Sequence, residues 1–215
     1  ATPIPRSLAL TLYGDLDLSV LCGSPPGRGA LTTRWLRGAE PASLGDLLAA
    51  RLAAGERAFW VVPRIEDGDD GAPGVETRFA ELQDGPLARH GIALVHGGLA
   101  GDERARRLAR FRSGAVRLLV ATTVIEVGVD VPEATAMVIE GAERFGLAAL
   151  HQLRGRVGRG ARPADCWLLG DPAAAERFEL LEETRDGFAI AEEDLRRRGM
   201  GDLAGVRQAG DNAEA

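Results

Sequence analysis

The chain has 215 residues, of which 45% are apolar and 27% charged, with a formal charge of −6. These proportions suit a soluble globular chain with one good core and a small appendage, and no apolar run approaches the about 20 residues that a membrane span needs. No charged-then-apolar leader opens the sequence, and its net acidity excludes attraction of nucleic acid through a global field.

The sequence begins without a methionine and reads as part of a larger protein. A short helix after Pro5 and a strand near Leu18 to Leu21 come first. Ser24 to Gly29 is a linker broken by proline and glycine, and Leu31 to Leu36 reads as a strand. Ser43 to Ala54 is an amphipathic helix with Leu44, Leu47, Leu48 and Leu52 at helical spacing, ended by Gly55. Phe59 to Ile65 is a strand, and Asp67 to Gly74 an acidic, glycine-rich excursion expected to be mobile. A helix around Glu76 to Arg89 leads to a strand at Ile92 to Val95, and Asp102 is expected to cap a helix reaching Arg112. Strands at Arg117 to Ala121 and Ala136 to Ile139, a helix from Leu147 towards Arg156 and a strand at Cys166 to Leu169 follow. Such alternation predicts an α/β fold: a parallel sheet with helices on both faces. Beyond Asp171 the pattern becomes an αα-hairpin, Ala173 to Glu183 and Ala189 to Arg198, and then a glycine-rich loop, Gly199 to Gly210.

Cys22 and Cys166 stand far apart with no histidine at ligand spacing, so neither a disulfide nor a metal site is expected, and a reducing cytoplasm fits. His90, His96 and His151 are scattered and read as structural or surface residues. All 26 residues in the Lys+Arg count are arginine. A Walker A loop requires a lysine after its second glycine, and this sequence has none to offer. Asp102-Glu103 and Glu193-Asp194 sit in helical, polar surroundings unlike a magnesium-holding Walker B pair.

The most informative stretch is His151-Gln152-Leu153-Arg154-Gly155-Arg156-Val157-Gly158-Arg159-Gly160. Arg156 and Arg159, each behind a glycine, fit two readings. They converge on a polyphosphate through planar, permanently charged forks, or they end a helix and pair with surface acids. Upstream, Leu118 to Ala121 reads as a buried strand that breaks into Thr122, Thr123, Gly128, Asp130 and Pro132. Ligands of open α/β sheets gather at the carboxyl ends of strands, which predicts a site around Thr122, Thr123, Gly128 and Asp130.

Taken together, the Leu118 to Pro132 and His151 to Gly160 segments resemble motifs V and VI of superfamily 2 helicases. Ala1 to Arg6 is similar to the end of motif III, and Trp60 to Asp67 with Leu94 to Gly97 to motif IV and the strand after it. Arg185 to Leu195, Arg198 to Asp202 and Val206 to Gln208 resemble the translocation hairpin and loop shared by the RecG family and transcription-repair coupling factor. Tyr13 to Ser19, Trp60 to Asp67 and Ile125 to Asp130 look like RecG, and the coupling factor tends to differ at each. DEAD-box RNA helicases lack the hairpin.

The resemblance implies a RecA-like sheet of the P-loop NTPase type. Residues 1–24 would be the tail of the first helicase lobe, 25–172 the second lobe, and 173–215 the translocation hairpin and loop. It implies an ATP-dependent DNA helicase acting on branched duplex DNA, namely forks and Holliday junctions, in repair and recombination. ATP with Mg2+ would be held mainly by the first lobe, the partner of this one. Arg156 and Arg159 would be fingers on the nucleotide, positioned by Gln152, with Gly128 and Asp130 also at the nucleotide. Thr122, Thr123 and Arg64 would grip the DNA backbone, while Arg177, Arg198, Arg207 and Gln208 couple ATP state to movement. Met200 stands where the family usually has proline, and Val206 where it has threonine. By itself the chain is expected to be inactive, and a non-catalytic binding module is the alternative for it in isolation.

Overall fold

A computed structural model describes residues 27–38, 44–123 and 130–198. The expected elements before Ser24 and the loop after Arg198, with Arg207 and Gln208, lie outside these residues, as does Gly128.

Among the described residues six strands form one sheet in the order β1-β6-β5-β2-β4-β3. They are β1 (Leu31–Trp35), β2 (Arg57–Val61), β3 (Ile92–Val95), β4 (Leu118–Ala121), β5 (Ala134–Glu140) and β6 (Ala164–Leu169). Every pairing is parallel. The crossovers carry α1 (Gly45–Ala53), α2 (Val75–Gln83), α3 (Gly101–Ser113) and α4 (Leu147–Arg154). The hairpin is α5 (Ala175–Glu183) and α6 (Gly187–Arg198).

Alternation along the strands splits the core into two layers. On β2, Phe59 and Val61 point to one face and Ala58 and Trp60 to the other. The first face is covered by Phe111 of α3, Leu147, Leu150 and Leu153 of α4, and Phe178, Leu181 and Ile190 of the hairpin. Leu44 together with Leu48 and Leu52 of α1, and Val75 and Phe79 of α2, cover the second. The hairpin thus shares the core of the sheet, and the Trp35 and Phe178 rings meet at 5.4 Å.

Three local expectations change. Leu47 is 54% exposed, because the buried stripe of α1 runs through Leu44, Leu48 and Leu52 and turns Leu47 outward. Asp102 lies inside the first turn of α3, whose N-cap is Ala100 without a side-chain cap. There a carboxylate still favours the helix through its dipole. The Asp67 to Gly74 excursion is tied down: the Gly74 amide donates to Asp67 at 2.7 Å, and Asp70 pairs with both Arg64 and Arg144. The Gly74 amide on Asp67 and the Ala72 amide on Asp70 lead in holding these two carboxyls below their ordinary range.

The free edge of β3 is blunted by α3, whose Arg107 donates to the outward Leu94 carbonyl at 2.8 Å. An occupied edge acceptor removes a template for strand addition.

Candidate functional site

In a parallel sheet every connection must carry the chain from the carboxyl rim back to the amino rim. That requirement corrects the single site expected around Thr122, Thr123 and Asp130. Thr122 follows β4 at the carboxyl rim, buried, with its amide on Val95 O at 3.3 Å, and Thr123 stands half-buried beside it. Asp130 precedes β5 and lies at the opposite rim. The two therefore stand about one strand's length apart, on opposite rims of the sheet. The residues therefore sort into a carboxyl-rim group, Thr122, Thr123 and Arg64, and an amino-rim group, Asp130, Arg156 and Arg159. Arg64 is itself held by Asp70 at 3.2 Å.

The amino-rim group is built by three segments in close contact. α4 ends at Arg154, and the chain turns through Gly155 to Arg162 before β6. Gly158 adopts a φ of +66°, in the left-handed region that side chains other than glycine rarely enter, and its amide donates to Ala134 O. Gly160 abuts Pro132: a Cβ there would stand 2.7 Å from the Pro132 carbonyl oxygen. Glycines at these two points let the arginine-bearing turn settle against the segment that carries Asp130.

Arg28, which the linker reading of Ser24 to Gly29 overlooked, clasps this turn. Its guanidinium donates to Gly158 O at 2.7 Å, Val157 O at 3.3 Å and Gly155 O at 3.4 Å. Arg159 donates to Gly155 O at 3.1 Å and pairs with Asp130 at 3.0 Å. The Asp130 side chain is 70% exposed, so this pair lies open to water. Burial first, and then repulsion from Arg159 and Arg185, lowers the Arg28 pKa. Arg28, Arg159 and Arg185 therefore share one field, with half-buried Arg156 on the same turn as Arg159. Such a concentration of guanidinium charge suits a polyphosphate, whose oxygens accept from several forks together.

Gln152 is half-buried on α4, while Arg154 is 2% exposed. Arg154 donates to Leu181 O at 2.7 Å, Thr184 O at 3.0 Å and Thr33 Oγ1 at 3.4 Å, and lies 2.7 Å from His151 Nδ1. The His151 imidazole is pushed down to about 4, first by burial and then by Arg154, with Asp186 opposing. Burial pushes the Cys166 thiol up to about 12. Arg154 lacks the preceding glycine that marks Arg156 and Arg159, so the motif does not single it out. The signal was present in its spacing: Leu147, Leu150 and Arg154 lie on one helical stripe, and that stripe faces the core.

Arg177 donates to Glu143 O at 2.8 Å and Phe145 O at 3.1 Å, so it binds the start of α5 to the β5–α4 connection. Arg198 closes α6.

Comparison with known proteins places this geometry. The helicase conserved C-terminal domain family matches residues 40–161. The ATP-dependent DNA helicase RecG of Acidithiobacillus ferridurans is 48% identical across 98% of this chain and 31% of its own length. Its counterpart from Escherichia coli O157:H7 is 46% identical across 100% of this chain and 32% of its own length. The chain thus spans about a third of the length of these curated relatives. A solved structure of RecG bound to a three-way DNA junction superposes with a TM-score of 0.76 at 42% identity, covering 94% of this chain and 27% of that one. Dbp5 of S. cerevisiae bound to RNA and ADP BeF3 superposes at 0.57 with 18% identity, covering 85% and 46%, a likeness of fold alone. The sheet is accordingly RecA-like, and the chain belongs to the helicase conserved C-terminal domain family, where it is of the RecG type.

Proposed function

We propose that this chain is the second motor lobe of an ATP-dependent DNA helicase that drives branch migration of Holliday junctions and regression of stalled forks. The observation that carries the reading is the guanidinium cluster at the amino rim: Arg28 bracing the turn, Arg156 and Arg159 upon it, and Arg185 within electrostatic reach. In this reading the triphosphate and Mg2+ are bound mainly by the preceding lobe, and this one closes on them. Arg156 and Arg159 meet the phosphates, Asp130 and Gly128 meet the nucleotide, and Gln152 steadies α4. ATP supplies the free energy of movement when bound and hydrolysed between the lobes.

In the isolated chain Arg159 is occupied by Asp130. A triphosphate offers more negative charge than one exposed carboxylate, so closure exchanges that partner for phosphate oxygens. The exchange makes the finger depend on the bound nucleotide, as a switch between open and closed states requires. At the opposite rim Thr122, Thr123 and Arg64 would contact the DNA backbone, a sequence-independent grip. Arg177, Arg198, Arg207 and Gln208 would link nucleotide state to movement. The relative bound to a three-way junction supports branched DNA as the substrate. A cytoplasmic location accords with that role.

The test is Arg159→Ala in the full-length protein. Removing a finger is expected to cut ATP turnover about 10³-fold, with DNA affinity little changed. Undiminished turnover would contradict the assignment.

A further inference from the structure

Three neighbouring strands, β5, β2 and β4, are followed at the carboxyl rim by Arg144, Arg64 and Thr122. Adjacent strands lie about 4.8 Å apart, so these strand ends form a row about 10 Å long. Arg144 reaches the row through a tight turn: Gly141 takes a φ of +60°, in the left-handed region, and its carbonyl accepts from the Arg144 amide at 3.0 Å. Arg64 and Arg144 then meet at a single carboxylate. Asp70 Oδ1 accepts from Arg64 at 3.2 Å, and Oδ2 accepts from Arg144. The loop of Asp70 fixes that carboxylate in place: the Ala72 amide donates to Oδ1 at 3.3 Å, and the Gly68 amide to Ala72 O at 2.9 Å. Two guanidinium groups that share one carboxylate are spaced to share one phosphate, because both anions offer oxygens to the same forks. The Asp70 side chain is 45% exposed, and an ion pair open to water is weak enough to exchange partners.

We propose that Arg64 and Arg144 form a two-pronged clamp on one phosphate of the DNA backbone, and that Asp70 occupies the clamp whenever DNA leaves it. The proposal rests on the motor-lobe reading and deepens it: Arg144 joins the residues at the DNA, and Asp70 is an internal competitor for them. Glu143 lies 3.3 Å from Arg144 Nε, but its other oxygen accepts from the Asp171 amide at 3.2 Å, which keeps it on its own turn. Duplex DNA carries one charge about every 1.7 Å of its axis and releases counterions on contact, so it displaces one exposed carboxylate. Glu66, Asp67 and Asp69 on the same excursion oppose it, which limits the grip to a phosphate in register with both forks. A grip of this kind suits a lobe that must let go at each step. As a phosphate departs, Asp70 takes back both arginines, and neither stays with the position just vacated.

The experiment follows binding of a fluorescein-labelled three-way DNA junction to the full-length protein by anisotropy, without nucleotide, across a salt series. Arg144→Gln should weaken binding about fivefold and lower the slope of log affinity against log salt by about 1, the signature of one lost phosphate contact. Asp70→Asn removes the competitor and should tighten binding about fivefold, since two exposed pairs no longer hold the arginines back. That gain should shrink when Arg144 is already glutamine, because the two side chains act on each other. Arg110→Gln removes the same charge from an exposed position on α3, at the far edge of the sheet, and should leave the slope unchanged. Affinity and slope unaltered in Arg144→Gln overturn the clamp, as does an equal loss in Arg110→Gln, which would reduce the effect to overall charge. Asp70→Asn binding no tighter than the unmodified protein overturns the competitor. Turnover that survives in Arg159→Ala would instead sink the motor reading beneath the proposal, so the two failures are distinguishable.

Discussion

Replacing Arg154 with methionine isolates what the buried guanidinium does for the fold. Methionine has similar length and suits an apolar setting, so little cavity is left and the change is mainly one of hydrogen bonding. Leu181 O loses its donor at a buried contact, and Thr184 O loses one at a partly buried contact where water can substitute. A buried acceptor left unpaired costs about 1–3 kcal/mol, so the first carbonyl contributes about 2 kcal/mol and the second about 1. Against this stands relief of the arginine's own desolvation, which is the leading cause of its lowered pKa. With about 1 kcal/mol returned on that account, the net loss is about 2 kcal/mol. Urea unfolding of the chain followed by far-UV circular dichroism reads this as a lower midpoint at unchanged slope, a displacement of about 1 M for a slope near 2 kcal/mol/M. A midpoint equal to or above that of the unmodified chain would refute the claim that Arg154 completes the end of α5.

His151 makes stability depend on pH in a defined window. Its pKa in the folded chain is about 4 against an ordinary 6.5. Above the ordinary value both states are neutral and stability is complete; as pH falls, the unfolded chain takes up the proton first, and stability is lost until pH reaches the folded value. The full displacement corresponds to about 3 kcal/mol, reduced to about 2 because the ring retains some solvent. His151→Gln should flatten the unfolding midpoint between these two pH values relative to the unmodified chain, and an identical pH profile would contradict the assignment. Gly158→Ala forces a side chain into a φ of +66° with its Cβ 3.0 Å from that of Ala164. The expected cost is about 1–2 kcal/mol, together with reduced ATP turnover in the full-length protein as the finger turn shifts; full stability and turnover would show that the turn tolerates an ordinary residue.

Much of the fold was legible because burial imposes short, punctuated apolar runs. The strand at Ile92 to Val95 was located to the residue, since Gly91 and the His96-Gly97 turn bound four apolar residues. Leu47 was misplaced because three leucines on a nine-residue helix, with Leu44 just ahead of it, fit more than one stripe, and only the packed sheet selects among them. The arginine-bearing turn stood out through its glycines, whose reason is local: Gly158 for its φ and Gly160 for its approach to Pro132. Arg28 and Arg154 were not legible as a pair. Their main-chain partners lie 27 to 130 positions away along the chain, and a bond to a main-chain carbonyl leaves no trace in the identity of the residue that supplies it. The separation of Asp130 from Thr122 follows from topology, which becomes visible only when β4 and β5 are known to run parallel.

The most direct test of the central claim, that these arginines complete a nucleotide site begun on another lobe, is reconstitution in two pieces. ATP turnover is measured for the purified chain, for the separately produced preceding lobe, and for the two mixed in the presence of branched DNA. The account predicts turnover in the mixture alone, and its disappearance when the chain carries Arg156→Ala and Arg159→Ala together. Equal turnover with and without the two guanidinium groups would contradict it.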